Sequence, residues 1–233
     1  MTSRTMFSVS SKGRLTRRDL GRFPGNTLFD RVARVVCEAG CLPRKELYES
    51  WEMARRIRRR IRGGRVVDLA AGHGLLSHFL LLLDDSSPHA LLVDTAPPRS
   101  APRLHDVLAE SWPRLAGRIL CDDRPLASVE LAAGDLVVSS HACGSLTDIV
   151  LDRGASARAR VAVLPCCHDL ARNDGGSLSG WMETPLAIDV MRAVRLEQRG
   201  YQVWTQTIPA AITPKNRLLI GDPLPEGGGS GRR

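Results

Sequence analysis

Three short segments of the chain gather side chains that can do chemistry. Residues 68–74, DLAAGHG, close an apolar run with two glycines. Gly72 and Gly74 allow the backbone to turn tightly and approach a ligand. A helix beginning there aims free N–H groups at the same place. Residues 139–148, SSHACGSLTD, carry His141 and Cys143, and residues 164–169, LPCCHD, carry Cys166, Cys167 and His168. An imidazole suits the removal of a proton from a weak nucleophile such as a ribose hydroxyl, which makes His141 and His168 candidate bases. A thiol attacks a base carbon only once its pKa falls from about 8.5; otherwise Cys166 and Cys167 shape a narrow pocket with small side chains. Cys143, Cys166, Cys167, His141 and His168 would suffice for a tetrahedral zinc site. Adjacent cysteines share one ion poorly and no C-x-x-C pair occurs, so no metal is expected. Cys37 and Cys41, with no histidine close by in sequence, read as core or surface thiols.

Acids follow the glycine loop at Asp94, Asp122 and Asp123. A dinucleotide loop of the form G-x-G-x-x-G would want glycine where Ala70 and Ser77 stand. The segment instead resembles the D-x-A/G-x-G-x-G signature of S-adenosylmethionine (SAM) enzymes. That resemblance implies a cofactor held by Asp68, Ala70, Gly72 and Gly74. Asp94, at the end of the next strand, would accept the two ribose hydroxyls, and Asp122 or Asp123 would meet the adenine. The H-x-C-G-x-x-T-D and C-C-H segments are similar to those of the eukaryotic tRNA 2′-O-methyltransferases that act on the acceptor stem. A wider group of methyltransferase-like proteins with H-x-C-G and C-C-Y segments is also similar. The resemblance spans roughly residues 65–220 and implies a Rossmann-like class I methyltransferase. The chain departs from the tRNA enzymes in lacking zinc-binding modules ahead of the catalytic region, and in having Asp169 where a second histidine would follow.

The elements that must position these segments alternate from residue 65 onward. RVVDLA, HALLVDT, GRILCDD, DLVVSSH and ARVAVLP read as strands; LLSHFLLLL, 103–112, a helix starting at Leu146 and 185–199 read as helices between them. Such alternation predicts an α/β fold with a parallel sheet covered on both faces. YQVWTQTI and NRLLIGD follow with too little chain between them for a crossover helix, so the seventh strand should run antiparallel. In an open sheet the carboxyl ends of the strands line the ligand crevice, which would bring the glycine loop and the sulfur-rich segments together. A loop over 169–184 could close over an acceptor. Lys215, Asn216 and Arg217, between the last strands, could touch phosphate.

Ahead of this domain, taken as residues 63–226, two helices are expected over 26–62. The first carries Phe29, Val32, Val35 and Val36 and stops at Gly40. The second runs from an acidic start to a cluster from Arg55 to Arg62, from which Arg58, Arg59 and Arg62 form a candidate phosphate-binding edge. Residues 1–25 have no acid before Asp19 and read as a flexible basic arm or an organelle-targeting segment; 227–233 read as a flexible tail.

The 233-residue chain carries 33 basic and 25 acidic residues, a net charge of +8 that favours RNA as partner. Only Lys12, Lys45 and Lys215 are lysines, a bias that base composition of the genome also produces. Its 43% hydrophobic content excludes a disordered chain, and no apolar run reaches membrane-spanning length, so no membrane partner is expected. Adjacent cysteines suit a reduced compartment, and a cytoplasmic location is expected. The oligomeric state is not legible. A SAM-dependent methyltransferase for RNA is the leading reading. A small-molecule or protein methyltransferase, a catalytically silent SAM- or nucleic-acid-binding module, and a nicotinamide-dependent reductase are its rivals.

Overall fold

The computed structural model describes residues 7–140 and 142–225; His141, residues 1–6 of the basic arm and the expected tail over 227–233 lie outside the described residues. Among these described residues seven strands form one sheet in the order β3-β2-β1-β4-β5-β7-β6. They are β1 Val66–Leu69, β2 Ala90–Val93, β3 Ile119–Asp122, β4 Leu136–Ser139, β5 Arg160–Val163, β6 Tyr201–Thr207 and β7 Arg217–Pro223. The first five pair in parallel, and β7 runs antiparallel to both β5 and β6. The seven-stranded, mostly parallel sheet with an antiparallel final strand is therefore present as expected.

Among the described residues six α-helices surround it: α1 Leu28–Ala39, α2 Arg44–Arg58, α3 Leu75–Leu83, α4 Ala101–Ser111, α5 Leu146–Ser156 and α6 Thr184–Gln198. The two-residue period of the strands divides the core cleanly. Val66, Leu136, Val138, Ala162 and Ile220 face α1 to α4. Val67, Leu69, Val137, Val161 and Val163 face α5 and α6. Alternate side chains of a strand point to opposite faces, so strands apolar throughout need cover on both sides. Helix α3 is buried from Leu75 to Leu82 because α2 packs on its outer side.

The 26–62 extension shares one core with the sheet. Val32, Leu47, Met53 and Ile57 join the same apolar cluster as Phe79 and Val66. Gly40 ends α1 in the left-handed region at φ 67°, as its position predicted.

The basic arm needs correction over residues 7–25. Leu15 and Phe23 are buried, and the Leu15 N–H donates to the Leu42 carbonyl at 2.9 Å. Phe7, Phe23 and Phe29 meet edge to face in sequence. The guanidinium groups of Arg22 and Arg44 lie over the Phe7 ring, 4.4 and 3.7 Å from its centroid. Arginine can cover an aromatic ring while keeping its charge in water, so charge density alone misrepresented this segment.

Candidate active site

Strand β1 lies between β2 and β4, where the winding of the sheet reverses. A crevice opens outside the carboxyl ends of the strands at such a point, and the DLAAGHG loop leaves β1 there. Its backbone is bent into an unusual state. Gly72 and Gly74 have φ of 57° and 71°, and Ala70, which has a Cβ, sits at φ 58°. An L-residue held in the left-handed region costs about 1–2 kcal/mol, so the surrounding structure must enforce this turn. Asp94 does so from the end of β2. Its carboxylate accepts from the Gly72 N–H and the Ala96 N–H, both at 2.9 Å. The glycine loop and the acid expected to serve one cofactor are thus tied to each other.

Asp68, buried on β1, accepts from the Ser77 hydroxyl at 2.9 Å on α3. Its other oxygen has no hydrogen-bond partner. Burial pushes its carboxyl up to about 8, with the Ser77 bond opposing the rise. Three histidines gather here, His73 within the loop and His78 and His105 beside it. His78, buried, bonds the Gly74 carbonyl through Nδ1 at 2.8 Å. Burial, with His105 beside it, drives it down to about 3, so it is a neutral imidazole. His105 contacts the His73 carbonyl at 3.2 Å, and His73 contacts Ser100. At the end of β3, Asp122 is half-buried and paired with Arg124, while Asp123 is exposed.

The ends of β4 and β5 approach each other through both backbone and sulfur. The Gly144 N–H donates to the Cys167 carbonyl at 3.2 Å. Cys143 Sγ lies 2.9 Å from Cys166 Sγ, and the thiols of Cys143, Cys166 and Cys167 all fall within 4.8 Å of one another. Burial and the neighbouring thiols raise Cys166 well above the usual thiol range. Burial opposes ionisation of Cys167 too, but the Lys215 ammonium, 3.4 Å away, brings it below that range. Of the two adjacent thiols, Cys167 is therefore the one held nearer to its ionised form.

His168 belongs to a network that the spacing did not reveal. Its Nε2 lies 2.9 Å from Asp189 on α6. Asp189 also accepts from Arg217 Nε at 2.6 Å and from Arg192 at 3.1 Å. Burial would raise the Asp189 carboxyl, yet His168 and Arg217 hold it below the usual range. Arg192 is buried and forks onto Asp148 of α5 at 2.8 and 3.0 Å. Asp148 is the last residue of the H-x-C-G-x-x-T-D segment, so that segment's acid anchors an arginine. The only sequence signal for Asp189 and Arg192 was their i,i+3 spacing on one helix face.

The substrate contacts expected from the basic residues divide. Arg58 is buried, ion-paired with Asp84 at 3.2 Å and bonded to Ser87 at 2.8 Å, so it fastens α2 to the end of α3 and offers nothing to phosphate. Arg55 and Arg56 are paired with Glu52, and Arg60 lies over the Trp204 ring. Arg62 is exposed but precedes β1, at the end of the sheet away from the crevice. Asn216 donates to the Ile208 carbonyl within the β6–β7 hairpin. Arg59 and Arg217, by contrast, line one cavity of about 810 Å³, together with Pro165, Asp189, Thr207 and the apolar face of α6. The loop after β5 carries Trp181, 86% exposed.

No protein-family model matches the chain. Among curated proteins it is 28% identical to a glutathione S-transferase C-terminal domain-containing protein homolog of Drosophila melanogaster, over 36% of this chain and 21% of that one. It is 30% identical to the homolog of Drosophila pseudoobscura pseudoobscura, over 37% and 22%. The chain spans about a fifth of the length of the curated relatives it matches. Among solved structures it is similar to the mitomycin 7-O-methyltransferase MmcR, with a TM-score of 0.50 and 15% identity over 90% of this chain and 64% of that one. A ribosomal protein L11 methylase from Lactobacillus delbrueckii subsp. bulgaricus gives 0.49 and 14%, over 77% and 78%. The chain has the Rossmann-like fold of class I methyltransferases.

Proposed function

We propose that the protein is a SAM-dependent methyltransferase acting on RNA, with a ribose 2′-hydroxyl as acceptor. The observation that carries the cofactor is the strained turn at Ala70, Gly72 and Gly74, locked to Asp94 at the switch point of the sheet. The residues fit SAM. The turn keeps the backbone close to a ligand, Asp94 is a carboxylate able to accept from ribose hydroxyls, and Asp68 retains a buried oxygen without a partner at the foot of the loop. When bound, SAM supplies an electrophilic methyl group.

The chain's own part is to orient the acceptor and take its proton. His168 suits that role because Asp189 fixes its ring through Nε2 and leaves Nδ1 for another partner. His141 remains a second candidate base. Cys166 and Cys167 flank the same strand end. The net charge of +8 and the exposed Trp181, able to stack on a base, support RNA. Arg59 and Arg217 on the cavity wall support a phosphate-bearing acceptor. A small-molecule acceptor is the second reading, favoured by a cavity whose volume suits such ligands.

Calorimetry is expected to show binding of SAM or its demethylated product, with little response to NAD. Asp94→Ala should weaken binding by about 10–100-fold, the loss of one or two hydrogen bonds to a charged group; unchanged affinity removes Asp94 from the site. Tritiated SAM offered alongside total RNA, total protein and a metabolite extract then names the acceptor class. Label in RNA supports the reading and label in metabolites supports the second one. Binding without transfer to any of them identifies a silent module.

A further inference from the structure

The three thiols at the ends of β4 and β5 form a cluster that methyl transfer does not require. Cys143 and Cys166 are separated by 22 intervening residues and Cys167 is the neighbour of Cys166, so a fold had to bring them together. The backbone bond from the Gly144 N–H to the Cys167 carbonyl clamps the two thiol-bearing turns to each other. We propose that Cys143, Cys166 and Cys167 form a three-thiolate site for a thiophilic divalent cation of the zinc class, at the lip of the crevice beside Lys215.

The geometry fits such an ion. Zinc–sulfur bonds of about 2.3 Å at tetrahedral angles place sulfurs about 3.8 Å apart. The fold brings the three Sγ atoms within 4.8 Å of one another even though Cys166 and Cys167 are adjacent, and the 2.9 Å Cys143–Cys166 pair must open. Cys143 is exposed on a turn between β4 and α5, which leaves it free to shift and gives the ion an entry path. Soft thiolates select zinc-class ions over magnesium or calcium. Charge also balances: three thiolates and a divalent cation carry −1, and the Lys215 ammonium 3.4 Å from Cys167 Sγ supplies +1. Each ligating thiol gives its proton to solvent, so binding releases protons. Three protein ligands leave the fourth position to water or another exchangeable donor. The proposal stands on the sulfur geometry and is independent of the methyl-transfer reading.

Cobalt(II) is the probe, added to the reduced 233-residue chain after chelator treatment. Expected are one ion per chain, a thiolate-to-cobalt charge-transfer band in the near ultraviolet, and visible bands of tetrahedral intensity, all displaced by zinc. Cys143→Ser, Cys166→Ser and Cys167→Ser should each weaken binding by more than the roughly 10–100-fold typical of changing a residue behind a ligand. Cys37→Ser and Cys121→Ser, away from the cluster, should leave the band intact. A second measurement needs no variant. Zinc should slow alkylation of Cys143, Cys166 and Cys167 in the wild-type chain, read by mass spectrometry, while exposed Cys121 reacts at its zinc-free rate. Equal alkylation rates with and without zinc overturn the proposal. So does a charge-transfer band that survives all three serine variants, or a Cys143–Cys166 disulfide that forms fully with zinc present. None of these readouts uses SAM, so failure here leaves the cofactor reading untouched.

Discussion

The crevice has two halves built by different means. Around β1 and β2 the site is made of backbone. Ala70, Gly72 and Gly74 adopt left-handed φ, and Asp94 ties the loop down through the Gly72 N–H while its other oxygen accepts from the Ala96 N–H. Every residue involved lies within one strand–helix–strand unit. Around β4, β5 and β7 the site is made of side chains from distant segments. His168 after β5, Asp189 and Arg192 on α6, Asp148 on α5 and Arg217 on β7 meet in one charged network. A site of the first kind depends on a few dihedrals and tolerates changes elsewhere. One of the second kind fails together, because each buried charge relies on the others.

The largest effect should come from cutting that network. Asp189→Ala leaves Arg192 buried with one carboxylate fewer and frees His168 and Arg217. A loss of about 3–5 kcal/mol in urea unfolding is expected, because charged hydrogen bonds from His168, Arg217 and Arg192 to one carboxylate go together, although Arg192 keeps Asp148. In the fraction that remains folded, SAM affinity should stay within a few-fold of wild type. A collapse of SAM affinity in folded protein would show that the halves are not separable.

The next effect concerns Asp68 and pH. Its carboxyl is raised to about 8 in the fold, against about 3.9 in an unfolded chain. Between those values the folded state holds a proton that the unfolded state has released. This contribution to stability is therefore full below about pH 4, declines as pH rises toward 8, and is flat above that. Asp68→Asn imitates the protonated form. It should match wild type near pH 4 and exceed it at pH 8, where the linkage is worth a few kcal/mol. Equal unfolding midpoints at both pH values would mean that Asp68 ionises freely.

The smallest effect tests the claim that the first half is a matter of backbone. Glycine in a regular element costs about 0.5–1 kcal/mol relative to alanine. At φ 58° the sign should change, because glycine relieves a strain of about 1–2 kcal/mol. Ala70→Gly should leave stability unchanged or raise it by no more than about 1 kcal/mol, with SAM affinity within a few-fold. A clear loss of stability would place the importance of residue 70 in its methyl group.

The cofactor half was the more legible in sequence for the same reason that it is simple. Glycine spacing, an apolar strand and a following acid are local patterns, and local sterics turn them directly into geometry. The acceptor half was readable only as a pair of segments. That Cys143 and Cys166–His168 sit at strand ends followed from strand–helix alternation. That His168 would be held by Asp189, or that Lys215 would lie against Cys167, depended on how α6 and the β6–β7 hairpin pack.

The arginines show the limit most plainly. Arg58 and Arg59 are adjacent and chemically identical, yet Arg58 is buried against Asp84 and Arg59 opens onto a cavity. Successive helix positions differ by about 100°, and what each one faces is set by neighbours distant in the chain. The sequence by itself determined the order of the elements, the parallel sheet with its reversed last strand, and the loop that turns at its switch point, because propensity, periodicity and connection length are local quantities. Tertiary structure alone decided which charges are spent on packing, which thiols meet, and which face of each helix the crevice uses, because those depend on contacts that form only when remote segments are buried together.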